Sequence, residues 1–178
     1  MKKILALVMA LVMVLGVASA MAASSKQTPG GGGTDVDNPE TIDIVYTEDT
    51  EETAAIIEKF ADAADAGDVL AALPDAVKAN IPEGYNKINE MITAQVSGDI
   101  NDVASYTVMN FGFESTYEAG KTVYVLAGIL PATADGEVEW EVFTGSVKDN
   151  GSIDVTLPKA FFEKVQNKPY VLAVVSEK

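Results

Sequence analysis

The chain has 178 residues, a formal net charge of -15 at pH 7, and neither Cys nor His; all 12 of its basic residues are Lys. Disulfides, thiol nucleophiles, Ser-His-Asp triads and His/Cys zinc or copper centres are thereby excluded, and without Arg there is no bidentate fork for phosphate or carboxylate. So large an excess of negative charge repels nucleic acid and anionic membrane surfaces, and leaves cations, basic proteins and neutral glycans as partners.

Residues 1–22 read as a cleaved signal peptide. Lys2 and Lys3 precede an apolar run from Ile4 to Val17, and small residues follow at Ala18-Ser19-Ala20 and Ala20-Met21-Ala22. At about 14 residues the run suits a signal h-region and is short for a membrane span. No Cys follows to carry a lipid anchor. The expectation is a secreted protein, of the medium or the cell envelope of a bacterium, with no stable membrane insertion after cleavage. Residues 23–40, ASSKQTPGGGGTDVDNPE, offer almost nothing to bury and read as a flexible linker. The four glycines are no phosphate cradle, since neither a strand before them nor a Lys-Ser/Thr helix start after them is in evidence.

The rest, 41–178, reads as one α+β domain, in two parts. In 41–102 the alternation of Ile42, Ile44 and Tyr46 predicts a short strand. A helix follows, with Asp49 and Glu52 at its cap, Ile56, Ile57, Phe60 and Ala64 on one face, and Gly67 at its end. Pro74 and Pro82 confine anything helical between them to about two turns. Tyr85, Ile88, Met91, Ile92 and Val96 recur at helical spacing and predict a third helix that ends at Gly98.

In 103–178 the period changes to two. SYTVMNFGF and KTVYVLAGIL are apolar on both faces, EVEWEVFTG and SIDVTL alternate, and PYVLAVVSE closes the chain; Asp149-Asn150-Gly151 is a hairpin turn and PKAFFEKVQN a short helical crossover. The predicted architecture is an N-terminal helical segment packed on or beside a small antiparallel β-sandwich of immunoglobulin-like architecture.

Few residues invite a chemical reading. Trp140 shares a strand face with Val138 and Val142, which predicts a core residue, while Glu139 and Glu141 turn to solvent as an adjacent carboxylate pair. Such pairs catalyse glycoside hydrolysis only in a cleft that separates their pKa values. Asp99 and Asn101 begin a calcium-loop pattern that Val103 and Ala104 then fail, so no metal residues are assigned, although loose calcium coordination by loop carboxylates stays open. Asn150-Gly151-Ser152 has the form of a glycosylation sequon and is read as turn chemistry. The loops Glu114–Lys121 and Pro131–Glu137 sit at sandwich ends, and Tyr117 in the first is the candidate ligand contact. Together these features predict a secreted non-catalytic binding module, without cofactor, for a protein, peptide or glycan of the cell surface. The alternative is a small hydrolase that uses only Asp and Glu on extracellular glycans.

Overall fold

The computed structural model describes residues 32–37, 42–115, 117–132 and 136–177. Eight strands form a closed antiparallel barrel in the order β1-β2-β3-β8-β5-β6-β7-β4. They are β1 (Gly32–Asp35), β2 (Ile42–Thr47), β3 (Tyr85–Gly98), β4 (Tyr106–Phe111), β5 (Thr122–Ile129), β6 (Glu139–Val147), β7 (Ile153–Pro158) and β8 (Tyr170–Glu177). Among the described residues three α-helices accompany them: α1 (Glu51–Asp65), α2 (Asp75–Lys78) and α3 (Lys159–Val165). The expected β-sandwich is therefore wrong. A sandwich leaves edge strands, whereas here β1 pairs with both β2 and β4 and no edge remains.

Two segments make the difference. Tyr85–Gly98, expected as a helix, is the longest strand. Its register against β8 shifts between Tyr85 and Lys87 and again between Ile88 and Glu90. Each bulge resets which residues face inward, so the apolar positions fall at irregular intervals that imitate a helical period. Gly32–Asp35, expected within the linker, is the stave that closes the barrel. A Cβ on Gly32 would lie 1.8 Å from the Ile44 carbonyl oxygen, and one on Gly33 would lie 2.6 Å from the Phe111 ring. The glycines are there for closeness of approach. Asp35 completes the strand from a buried position, its carboxylate accepting from the Thr107 hydroxyl at 2.9 Å and the Asp37 N–H at 2.9 Å. Residues 1–22, expected as a signal peptide, and residues 23–31 and 38–40 of the expected linker lie outside the described residues.

Strands β5 and β8 are apolar on both faces because both faces are covered. Val123, Val125, Ala127 and Ile129 point into the barrel with Leu172 and Val174; Leu126, Val171, Ala173 and Val175 point outward beneath α1. An eight-stranded barrel is just wide enough for side chains to fill. Here the filling comes from Ile44, Met109, Phe111, Val155 and their neighbours, and each end is sealed by the chain itself. At one end α3 inserts Phe161, Phe162 and Val165, with Phe161 edge-on to Phe143, Phe162 and Tyr170 at centroid distances of 5.2, 5.6 and 5.5 Å. At the other the β4–β5 connection crosses the mouth. Its Glu114 and Ser115 N–H groups donate to the buried Glu90 carboxylate at 3.2 and 3.0 Å.

The outer layer begins with α1. Thr50, not Asp49, is its N-cap, in a capping box with Thr53, and Gly67 at φ +88 ends the segment. Ile56, Ile57 and Phe60 pack on the outward faces of Ile88, Met91 and the β8 residues. A 3-10 turn at Val69–Ala72 and the one-turn α2 complete the layer, as the two prolines required. In the β6–β7 hairpin only Gly151 has a positive φ, and the Asn150 side chain accepts from the Ser152 N–H and hydroxyl.

Candidate binding cleft

Strand β6 crosses from one apolar layer to the other, and its two faces decide where a ligand could sit. Phe143, Gly145 and Val147 face the barrel interior, while Val138, Trp140 and Val142 face outward under the helical layer. The expectation that Trp140 lies in the core is therefore corrected. It is half-buried in the outer layer, at the border where α1 stops covering the sheet. Its cross-strand partner is Gly128, and a Cβ at that position would come within 2.8 Å of the indole. The bare backbone of β5 thus lets the ring lie down across the neighbouring strand. Phe60 holds it from the helix side, with centroids 5.3 Å apart and the planes tilted by 57°.

Between these elements lies a cleft of about 460 Å³. Trp140 and Val138 form one wall, Ile56 and Phe60 of α1 another, and Leu73 and Pro74 the end; the exposed Lys59 and Glu137 supply its charges. The lining is that of a pocket for an apolar group with a polar rim. Within the described part of the Pro131–Glu137 loop, Glu137 belongs to this rim. The loop signal in the sequence thus reaches the cleft through one residue.

The other sequence candidates go elsewhere. Tyr117 is 6 % exposed, packed edge-on to Phe113 at 6.3 Å inside the mouth of the barrel. The reading of Tyr117 as an exposed contact is thereby corrected: the connection folds back into the barrel end, and its aromatic closes the core. Glu139 and Glu141 do stand together, but the Lys164 ammonium of α3 bridges them at 2.7 and 2.6 Å. The two hydrogen bonds hold the lysine well above its usual pKa. A carboxylate pair committed to one cation offers no free acid and base, and it faces the α3 end, away from Trp140. Asp99 accepts from the backbone N–H and side-chain amide of Asn101 at 2.9 and 2.8 Å, which hold its pKa below the ordinary value; it caps the 3-10 turn Ile100–Asp102. The described residues hold no group of three or more acidic side chains that converge on a metal position. None of their helices is long and apolar enough to cross a membrane.

No family model, no curated protein and no solved structure matches this chain.

Proposed function

We propose that the protein is a non-catalytic binding module, exported to the cell envelope or the medium, whose Trp140 cleft receives an apolar side chain of a cationic polypeptide. One observation carries this reading: the only tryptophan of the chain is held half-buried over Gly128 as a wall of a preformed apolar cleft. A buried ring would have only packed, and a free one would have lacked walls. Glycan recognition needs several planar donors and acceptors beside the stacking ring, and here Ile56, Phe60, Leu73 and Pro74 make up most of the lining, with charge only from Lys59 and Glu137 at the rim. The net charge of -15 steers cations toward the surface as a whole. The hydrolase alternative is weakened by the Lys164 bridge, which engages the adjacent carboxylate pair.

The test exploits the lone indole. Short lysine-flanked peptides that carry one Leu or Phe, and no Trp, should shift or quench the Trp140 emission saturably, and Trp140→Ala should abolish binding measured by calorimetry. A panel of glycan, peptide and ester substrates should show no turnover. Saturable binding that survives Trp140→Ala, or turnover lost on replacing one Asp or Glu, would overturn the reading.

A further inference from the structure

The connection that crosses the mouth of the barrel leaves a gap at the rim. Between it and the ends of β3, β8 and β5 lies a second cleft, of about 390 Å³. Strand register decides what faces it. Leu172 and Val174 of β8 point into the barrel, so Ser176 follows on the same side, and its cross-strand partner in β3 is Lys87. Regular alternation from Glu90, the partner of Val174, would turn Ile88 inward and Lys87 outward. The bulge at Asn89 reverses both: Ile88 joins the outer layer, and Lys87 lines the cleft. Asn89 lines it as well, its side-chain amide donating to the Ser176 hydroxyl at 3.0 Å. Bulges at barrel rims re-aim side chains in this way beside functional sites, and barrel mouths are a common place for a ligand.

The charges of the lining say what fits. Lys121 and Glu177 answer each other across 3.9 Å. Lys87 and Glu118 make no ion pair among the described residues, so the cleft keeps one uncommitted cation and one uncommitted anion. Its other polar groups, from Asn89, Thr122 and Ser176, are neutral and both donate and accept, and the buried Tyr117 and Val123 supply its apolar part. A simple anion would meet Glu118 and the field of a chain with a net charge of -15. A simple cation would meet Lys87 and Lys121. A ligand with one carboxylate, one ammonium and an amide between them answers every group, and a short peptide with both termini free is such a molecule.

We propose that the cleft at the barrel mouth is a binding site for a zwitterionic ligand of dipeptide size, with the ligand carboxylate at Lys87 and its ammonium at Glu118. The site is separate from the Trp140 cleft and does not rest on the reading given to it. Titration of the whole chain with L-alanyl-L-alanine, followed by amide chemical shifts, should move the Lys87, Asn89 and Ser176 resonances saturably. N-acetyl-alanyl-alanine lacks the ammonium and alanyl-alanine amide lacks the carboxylate, and each should bind at least about tenfold more weakly. Lys87→Gln should remove the preference for a free carboxylate, and Glu118→Gln the preference for a free ammonium. Both residues are exposed, so both variants should fold. Absence of a saturable shift in the native chain would overturn the proposal. So would blocked probes that bind as tightly as the free dipeptide, or a preference that outlasts the substitution meant to remove it.

Discussion

The inside of the barrel and its outer helical layer are built from the same strands and end differently. Inside, the chain finishes its own packing: α3 fills one end with Phe161 and Phe162, and the β4–β5 connection fills the other with Phe113 and Tyr117. Outside, α1 lies over β3 and β8 and only the one-turn α2 reaches β6, which leaves Trp140 half-covered beside a cleft. A layer that closes on itself specifies the fold, and a layer that covers its sheet thinly leaves apolar surface half open.

The sharpest way to break this comparison is to injure the sealed side. Phe161→Ala, at 1 % exposure, should cost about 3 to 5 kcal/mol in chemical denaturation, as large core truncations do. A smaller penalty falls on closure. Gly33→Val drives a side chain into the Phe111 ring and should cost about 1 to 3 kcal/mol, with loss of amide protection along β1, β2 and β4 in hydrogen exchange. Trp140→Ala should cost less than a core truncation, about 1 to 2 kcal/mol, because only part of the ring is out of water. If Trp140→Ala destabilised as much as Phe161→Ala, the two layers would not differ as described.

Alkali separates the layers by chemistry. Burial raises the pKa of Tyr46, Tyr117 and Tyr170 above the ordinary value of about 10. A raised folded pKa means that the native state holds its protons more tightly, so this stability is fully present below about pH 10 and is lost as pH rises toward the folded values. Phenolate absorbance should show these three of the six tyrosines ionising only together with unfolding. Smallest of all is Lys164→Met. It releases an exposed bridge and should change stability by less than about 0.5 kcal/mol at neutral pH.

Much of the fold was legible where one face of an element is simple. Ile42, Ile44 and Tyr46 alternate, Ile56, Ile57 and Phe60 share a helix face, and the strands from β4 to β8 announce themselves by period and turn. What escaped was closure. β3 hides because two bulges break its alternation and Met91 and Ile92 are buried on opposite faces. β1 hides because its contribution is made by missing side chains, and only the neighbouring Ile44 carbonyl and Phe111 ring show why glycine stands there. Local pattern carries neither fact. The cleft was half legible for a similar reason. Trp140 stood out, yet its partner Gly128 lies on another strand and appears beside it only through the register, and the wall from Leu73 and Pro74 depends on the layer that α1 builds. Tyr117 misled because a loop aromatic can turn inward as readily as outward when the barrel end needs filling.

The central claim, that the cleft beside Trp140 is a binding site and not an imperfection of packing, is tested most directly by filling it. Ala71 is exposed on the cleft wall, so Ala71→Phe adds a ring to the cavity while leaving the core untouched. Calorimetric titration with a lysine-flanked Phe peptide should show affinity reduced at least about tenfold, about 1.4 kcal/mol, with the Tm unchanged or raised. Affinity equal to that of the native chain would contradict the claim.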